Sequence, residues 1–543
     1  MKKIIAFIQK YSNASGGIII FLFIVSGASY ALILSVINTA AAYVSSGHEV
    51  LEFRLFLIFL MLLSIYLFSK KLSMRRSIEF SEEIVRSIRV NFVGKIRHAE
   101  LQFLEKTSQG LLYARLTGDT TALSQTLPMI AMAIESIFSL VSVFFYLATQ
   151  SLSSFFVVTG LFGLSLFVYI TSYSPAKRKT KLARKKEAVF FDRLNDVLFG
   201  FKEIRINDQK SKALFEDIKT VSKETERLKT DALISLNYSF VIINLTYFSM
   251  IAGIIFILPF FDLVENSAVV RCVSALLYIW APLSITLKSI PNYLITNVSV
   301  ENLMRLEKMI DSFNVDCLVS PPKPISDFNK IMLTSLTFKY KTKKGLSLFE
   351  MGPINFSIHK GEIVFIVGGN GSGKSTLMKL LSGLYFPDEG EISVDGKQLT
   401  HETYPSYREC FSTIFTDFHL FQKLYGLKDI DENNVNQLLD KMQLAGKTHF
   451  KNGKFTKIDL STGQRKRLAY VICLLENKPV YIFDEWAADQ DPIFKKNFYE
   501  NFLDDMRALN KTVIAVSHDD RYFDKADRVI KMEMGKIIDV WKS

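Results

Sequence analysis

The chain has 543 residues, too many for a single hydrophobic core, so its length predicts at least two domains. Hydrophobic residues make up 49%, the mean hydropathy is +0.19 and there are 45 phenylalanines. This composition excludes an ordinary soluble enzyme of this size. The formal net charge of +12 fits either a nucleic-acid-binding protein or the basic cytoplasmic loops of a membrane protein, and the positions of the charges decide between them.

Six apolar runs occupy the first half of the chain, and each approaches or exceeds the roughly 20 residues that a helix needs to cross a bilayer. They cover approximately residues 16–44, 53–69, 128–149, 151–172, 236–261 and 267–290. The pattern predicts an all-α bundle of six transmembrane helices within residues 1–310. The first run is too long for a secretory signal core and more spans follow it, so we interpret it as an uncleaved helix.

Charge asymmetry predicts the orientation of these helices. Residues 45–52 and 262–266 contain no Lys or Arg, whereas residues 70–127 and 173–235 are long and rich in both. The positive-inside rule places the long segments, and with them the N-terminus, in the cytoplasm. Their helical periodicity predicts that the membrane helices continue into the cytosol.

The most basic stretch is KRKTKLARKKE at residues 177–187. It is compatible with a helix foot near anionic lipid headgroups and equally with a solvated basic helix face. No aromatic residues interleave with basic ones as in a nucleic-acid-binding patch, so we expect membrane lipid and not nucleic acid as a partner.

A change of pattern near residue 310 marks a second domain. Residues 311–329 contain Pro321, Pro322 and Pro324 and are predicted to form an extended linker. From residue 330 to 543, short β-like runs alternate with helical segments, which predicts an α/β domain with a largely parallel sheet.

A glycine-rich segment follows the apolar run EIVFIV and matches the phosphate-binding pattern G-x-x-x-x-G-K-[ST]. The candidate ATP-binding residues are Gly368, Gly369, Asn370, Gly371, Ser372, Gly373, Lys374, Ser375 and Thr376. Backbone N–H groups would surround phosphate oxygens, Lys374 would reach the β and γ phosphates, and the Ser375 hydroxyl would take a Mg²⁺ position. The strand before it and the helix after it argue against a chance glycine-rich turn.

Two carboxylates end the apolar run VYIFDE, about 110 residues further on. We predict that Asp484 holds Mg²⁺ through water and that Glu485 polarises the water that attacks the γ phosphate. The alternative is a surface acidic pair that caps a strand, which the preceding phosphate loop disfavours. Together the two motifs predict a P-loop ATPase of the α/β class with ATP and Mg²⁺ as cofactors.

The run DLSTGQRKRLAY at residues 459–470 resembles the LSGGQ signature of ABC transporters. The matching residues are Leu460, Ser461, Gly463 and Gln464, with Thr462 in place of the first glycine. The resemblance implies that this turn contacts ATP held by a second subunit, so that hydrolysis needs a homodimer. The residues alone predict only an ordinary helix start with Ser461 as N-cap.

Further matches follow in the order that the family has. Tyr340 resembles the aromatic residue that stacks on adenine, His518 the switch histidine that contacts the γ phosphate, and Asp491 the aspartate of the D-loop. Without the family, Tyr340 would be a strand residue and His518 a core histidine.

Two departures from the general family pattern are present. Thr416, with Asp417 beside it, stands where most ABC proteins have a glutamine that contacts Mg²⁺, and either side chain is a candidate to contact the ion through water. EWAADQD at residues 485–491 stands where the general pattern is EPTSALD.

The segments FTDFHLF and DEWAADQDP resemble those of bacterial exporters of cyclic peptides such as lasso-type microcins, lipopeptides and siderophore precursors. This resemblance implies a homodimeric exporter with twelve spans, alternating access and a peptide-like cargo, in the cytoplasmic (inner) membrane of a bacterium. A lipid or multidrug exporter has the same layout and remains the alternative. Fusion of the two domains opposes an importer ATPase, and the spans with a single ATPase domain oppose an ABC protein that acts on ribosomes.

The exporter layout also implies a short transverse helix in each long cytoplasmic loop, resting on an ATPase domain. Residues 101–110 and 197–206 are the candidates, because apolar residues there sit beside charged ones. Polar residues inside the spans are candidates for the transport path or, equally, for interhelical hydrogen bonds. They are Asn38, Glu135, Asn237, Asn244 and Arg271.

Overall fold

The computed structural model describes residues 2–12, 16–45, 53–260, 266–313, 325, 327–341 and 347–542. The chain forms two compact units. The helical unit comprises Met1–Val90 and Ala114–Met304, and the sheet unit comprises Asn91–Tyr113 and Arg305–Ser543. The predicted linker at 311–329, including its three prolines, lies mostly outside the described residues.

The first 311 residues are helical wherever the structure assigns regular secondary structure. The helices are α1 (Lys2–Tyr11), α2 (Gly17–Ser45), α3 (Phe53–Arg97), α4 (Leu101–Lys106), α5 (Gln109–Tyr113), a π-helical segment (Ala114–Asp119), α6 (Thr120–Gln150), α7 (Leu152–Phe199), α8 (Phe201–Ile206), α9 (Asp208–Ala252), a second π-helical segment (Gly253–Ile257), α10 (Leu258–Phe260) and α11 (Asn266–Asp311). Helices α3, α7, α9 and α11 have 45 to 48 residues each. At 1.5 Å per residue they are about 70 Å long, more than twice the hydrocarbon thickness. The prediction that helices continue beyond their apolar runs is confirmed.

Four helical segments among the described residues are long and apolar enough to cross a membrane. They are Gly17–Val44, Phe53–Arg97, Gln109–Gln150 and Ala268–Asp311, and two shorter apolar segments, Leu152–Leu164 and Asn244–Phe260, lie at the fourth and fifth predicted spans. Only 6% of the apolar window in α3 is buried. This helix therefore presents an apolar surface outward, as contact with lipid or a second subunit requires. The count of six spans stays a prediction.

The interior of the helical unit is a hydrophobic cluster contributed by α2, α6, α7, α9, α10 and α11. Leu34, Val143, Leu147, Ile254 and Leu276 are completely buried within it. Helix α2 approaches α6 most closely at Gly27, where an added Cβ would lie 2.8 Å from the backbone carbon of Phe138. The two backbones can come this near only because Gly27 has no side chain.

We predict that Gly27→Ala forces α2 and α6 apart and lowers the stability of the helical unit by about 1–3 kcal/mol. Gly160→Ala on α7 is the matched control, because an added Cβ there meets nothing within 4 Å. The midpoints of thermal unfolding are measured for both variants in detergent and compared. Equal midpoints for Gly27→Ala and the control would contradict the proposed close packing.

The sheet unit contains two main sheets and several short helices. Its elements are β1 (Lys330–Lys341), β2 (Ser347–His359), β3 (Ile363–Val367), α12 (Lys374–Leu381), β4 (Glu389–Val394), β5 (Lys397–Gln398), α13 (Tyr404–Arg408), β6 (Phe411–Ile414), α14 (Glu432–Lys441), β7 (Phe450–Lys451), β8 (Lys454–Phe455), α15 (Thr462–Glu476), β9 (Val480–Phe483), α16 (Pro492–Asn497), α17 (Leu503–Ala508), β10 (Thr512–Val516), β11 (Arg528–Glu533) and β12 (Lys536–Lys542). The larger sheet has the order β12-β11-β3-β10-β9-β6, and the smaller has the order β2-β1-β4-β5.

The larger sheet has a parallel core because β3, β9 and β10 are fully buried apolar runs, covered on both faces. Strands β11, β3, β10, β9 and β6 are parallel to one another, and β12 is antiparallel at the edge. One hydrophobic cluster covers one face of this sheet together with α14 and α15, and a second cluster joins it to the smaller sheet. The predicted α/β class with a largely parallel sheet is confirmed.

Candidate nucleotide site

The predicted phosphate loop connects β3 to α12 in the sheet unit. Gly368 and Gly373 have φ angles of +149° and +101°, and an added Cβ on Gly368 would lie 2.3 Å from the carbonyl oxygen of Met532. These positions therefore require glycine. Lys374 is buried, and its Nζ donates hydrogen bonds to the carbonyl oxygens of Gly368 (2.9 Å) and Gly369 (3.0 Å). The ammonium group lies within the loop, where a phosphate would need it.

Asp484 follows β9 and is only 2% exposed. Burial raises the pKa of its carboxyl group, whereas a hydrogen bond from Ser375 and the charge of Lys374 lower it. Its Oδ2 is buried and has no hydrogen-bond partner among the described residues. A buried carboxylate oxygen without a partner, beside a serine hydroxyl, suits Mg²⁺ bound directly or through water. The residues present therefore fit the predicted ion.

Glu485 and His518 follow the adjacent parallel strands β9 and β10. The Oε1 of Glu485 lies 3.1 Å from the Nε2 of His518, and both side chains are partly exposed. Glu485 adopts a left-handed backbone conformation with φ +52° and ψ +36°. This conformation is uncommon for a residue other than glycine and is found where surrounding contacts impose it.

Thr416 and Asp417 occupy a turn just beyond β6, and both are exposed. Strand β6 lies beside β9, and the backbone N–H of Asp484 donates to the carbonyl oxygen of Ile414 over 2.8 Å. The two side chains are therefore at the same edge of the sheet as the predicted magnesium site, where either can act through water.

The signature-like turn forms the start of α15. Ser461 and Gln464 make a reciprocal capping box, in which the Ser461 backbone N–H donates to the Gln464 side chain over 3.3 Å. Ser461 and Thr462 are exposed, whereas Leu460, Gly463 and Gln464 are partly buried. An added Cβ on Gly463 would lie 2.9 Å from the carbonyl oxygen of Asp489, so the D-loop segment packs against this turn.

Asp491 caps the N-terminus of α16. Its Oδ1 accepts a hydrogen bond from the Phe494 backbone N–H over 3.0 Å, and its Oδ2 pairs with the Arg467 guanidinium. The Phe494 N–H and the Arg467 charge lower the pKa of this carboxyl group. The aspartate predicted for the D-loop is therefore fastened to the helix that begins at the signature-like turn.

Tyr340 lies in β1, with its hydroxyl 3.4 Å from the Oγ1 of Thr376 and donating to the Tyr385 hydroxyl over 3.2 Å. The structure thus places the predicted adenine-stacking ring beside the helix that starts at the phosphate loop. Phe349, on the neighbouring strand β2, packs against the same ring with centroids 6.3 Å apart.

Sequence reasoning missed two residues that support the site, Lys466 and Trp486. Trp486 is 1% exposed, and its Nε1 donates to the carbonyl oxygen of Lys466 over 2.8 Å. The side chain of Lys466 is 4% exposed, and its Nζ donates to the carbonyl oxygen of Glu485 over 2.6 Å. The segment EWAADQD, which departs from the family pattern, gave one signal for this contact. The large apolar side chain of Trp486 at its second position is expected to be buried against neighbouring elements.

Two of the transport-path candidates are buried and have polar partners in the helical unit. Glu135 is 1% exposed, and its Oε1 pairs with Lys70 (3.1 Å) and accepts a hydrogen bond from Ser26 (2.7 Å). Asn38 is buried and donates to the Tyr146 hydroxyl over 2.8 Å.

The other three candidates are less informative. Asn244 is partly buried in α9. The Nε of Arg271 is buried and has no hydrogen-bond partner among the described residues. Asn237 lies in α9, and its side chain is outside the described residues.

Comparisons with known proteins agree with this architecture. Residues 17–262 match the family of ABC transporter transmembrane regions, and residues 351–488 match the ABC transporter ATPase family. The chain is 32% identical over 481 residues to the ATP-binding protein SyrD of Pseudomonas syringae pv. syringae, covering 84% of this chain and 83% of SyrD. It is 25% identical over 500 residues to the nisin transport ATP-binding protein NisT of Lactococcus lactis, covering 85% of this chain and 80% of NisT.

A solved structure has the same fold over nearly the whole chain. It is a bacterial Atm1-family ABC exporter with ATP bound, with a TM-score of 0.78 and 17% identity, covering 98% of this chain and 96% of that one. The family matches assign ATP binding and hydrolysis to the C-terminal half and membrane-spanning helices to the N-terminal half. The chain belongs to the ABC transporters and is an exporter in which a multi-pass membrane region and an ATPase domain are fused.

Proposed function

We propose that two copies of this chain form a homodimer that exports a peptide-like cargo across the cytoplasmic membrane of a bacterium. ATP held by the phosphate loop of one copy contacts the signature-like turn of the other. The single observation that carries this proposal is the exposure of Ser461 and Thr462 at the start of α15, where a second copy can present its bound nucleotide.

The residues of one copy divide the work of hydrolysis. The loop N–H groups and Lys374 bind the phosphates, and Ser375 and Asp484 hold Mg²⁺, which neutralises charge on the phosphate oxygens when bound. Glu485 orients the attacking water and accepts its proton; in support of this role, its carboxylate follows Asp484 at the end of β9 and is partly exposed. The Nε2 of His518 lies 3.1 Å from that carboxylate, and in this proposal His518 contacts the γ phosphate.

The first transverse helix connects to the nucleotide site through hydrogen bonds within the sheet unit. Glu105 in α4 pairs with Lys379 over 2.7 Å and accepts a hydrogen bond from the Tyr385 hydroxyl. Burial and the Glu105 hydrogen bond raise the pKa of Tyr385, so that tyrosine stays a donor. Tyr385 in turn accepts from Tyr340, which lies beside Thr376. This chain of contacts is a route by which closure around ATP moves α4.

The second transverse helix, α8, has an apolar surface suited to docking on the partner. Phe201 and Ile206 of α8 are 58% and 88% exposed, and Phe199 at the end of α7 is 87% exposed. The sheet unit carries a cavity of about 230 Å³, lined by apolar residues such as Phe418, Leu424 and Ile472 and by the polar residues Thr413, His419, Lys423 and Glu476. We assign α8 of one copy, which also carries Lys202, Glu203 and Arg205, to this cavity of the other copy, because both surfaces combine apolar and charged residues.

The cargo class rests on the motifs around Thr416 and Trp486, which resemble those of cyclic-peptide exporters, together with the likeness to SyrD and to the nisin transport protein NisT over 84% and 85% of this chain. Glu135 belongs to the transport path in this proposal. Its carboxylate is buried within the third predicted span, where ionisable groups are costly and are found along the paths of ions or substrates. The alternative cargo is a lipid or a drug.

We expect cyclic peptides, lasso peptides, lipopeptides or siderophore precursors to raise the ATPase rate of the purified protein in proteoliposomes. Lipids and hydrophobic drugs are assayed in parallel at matched concentrations. Stimulation by a peptide-like compound, together with its uptake into the vesicles, is the predicted result. Stimulation by lipids or drugs alone would favour the alternative cargo.

We predict that Glu105→Gln and Tyr385→Phe leave basal ATP hydrolysis near the wild-type rate while lowering cargo uptake about tenfold, because the contact to α4 is weakened. Glu402→Gln is the matched control, since this glutamate of the sheet unit is exposed. Uptake and hydrolysis are measured in the same vesicles. Normal uptake in both variants would exclude this route of coupling.

A further inference from the structure

Lys466 is a buried cation with partners on the segment that carries Glu485. It lies in α15, and its Nζ donates to the carbonyl oxygen of Glu485 over 2.6 Å and pairs with Asp489 over 2.7 Å. A lysine whose side chain is only 4% exposed is rare in proteins and is kept where its ammonium group is fully paired.

The contact is reciprocal. Lys466 donates to the Glu485 carbonyl, and Trp486 donates through Nε1 to the Lys466 carbonyl over 2.8 Å. Trp486 is itself wedged against Tyr470 and Phe498, with ring centroids 5.4 Å and 4.7 Å away. Residues 485 and 486 are therefore clamped to α15 from both sides.

The contacts of Lys466 and Trp486 act on a residue with a strained backbone conformation. Glu485 has φ +52° and ψ +36°, a conformation that is unfavourable for residues other than glycine and persists only when its surroundings impose it. That backbone conformation determines where the Glu485 carboxylate points. Lys466 hydrogen-bonds the carbonyl oxygen of Glu485 itself, so the contact restrains the residue whose backbone is strained.

We infer that Lys466 is a positioning residue that holds Glu485 in its left-handed conformation and so sets the orientation of its carboxylate. It also fastens that orientation to α15, whose N-terminal turn at Ser461 faces the partner's nucleotide in the proposed dimer. Within each copy, Glu485 is thus held in place by α15, the helix whose N-terminal turn contacts the nucleotide bound to the other copy. This role rests on the proposed role of Glu485.

The test uses the full-length protein in proteoliposomes, with kcat and KM for ATP measured in steady state. Lys466→Met keeps the aliphatic stem and removes the donor, and Asp489 tolerates the loss because its side chain is 49% exposed and stays hydrated. We expect kcat to fall about 10- to 100-fold with KM changed less than about twofold, as for a misplaced catalytic group. Lys466→Gln, which keeps one donor, is expected to lie between, and Asp489→Asn is expected to have little effect on kcat.

Two controls separate positioning from a structural role. Glu485→Gln must bind ATP and nearly abolish hydrolysis; if it hydrolyses ATP normally, the proposed role of Glu485 fails. In the Glu485→Gln background, Lys466→Met should cause no further loss, because two residues that act through one step are not additive. A folded Lys466→Met protein with kcat within twofold of wild type, or a loss confined to KM, would overturn the inference. Should Lys466→Met fail to fold, Lys466→Gln decides by the same criteria.

Discussion

The nucleotide site depends on one constraint, the common direction of β3, β10, β9 and β6. Because these strands are parallel, the residues that follow each of them emerge at one edge of the sheet. Neighbouring strands are about 4.8 Å apart, so β3 and β9, with β10 between them, lie about 10 Å apart. The loop after β3 crosses that distance, because Ser375 at its end donates a hydrogen bond to Asp484 after β9. The strand order therefore brings the phosphate-binding residues and the two carboxylates to one site.

Charged groups that are partly or wholly buried connect the nucleotide site to the helices α15 and α4. Lys466 joins the signature helix to Glu485, and Glu105 joins α4 to Lys379 and Tyr385. In the proposed mechanism both links transmit a change, because a buried donor or acceptor has few alternative partners. In the helical unit the counterpart is the pair of Lys70 and Glu135, whose carboxylate is buried while the lysine side chain is 26% exposed.

The sequence predicted the parts of this arrangement that local pattern specifies. The pattern G-x-x-x-x-G-K-[ST] between a buried strand and a helix is typical of a phosphate-binding loop, and the two carboxylates after VYIF directly follow the strand that positions them. The short helices α4 and α8 also fall within the segments 101–110 and 197–206. Their apolar and charged residues gave a local signal.

The contacts that hold the site together could not be predicted in this way, because their partners are far apart in the chain. Glu105 and Lys379 are separated by 274 positions, and nothing near either residue indicates the other. Lys466 looked like one more basic residue after the signature-like turn. Its burial became visible only when Trp486 and the left-handed Glu485 were placed against α15.

The central claim is that each nucleotide is held between the phosphate loop of one copy and the signature-like turn of the other. The most direct measurement combines Lys374→Ala and Ser461→Arg, each inactive alone, by co-expression and reconstitution of mixed dimers. A mixed dimer contains one intact composite site, so random pairing should restore up to about a quarter of the wild-type ATPase rate. If every site were built within a single chain, the mixture would be no more active than the separate variants, and the proposed dimer would be contradicted.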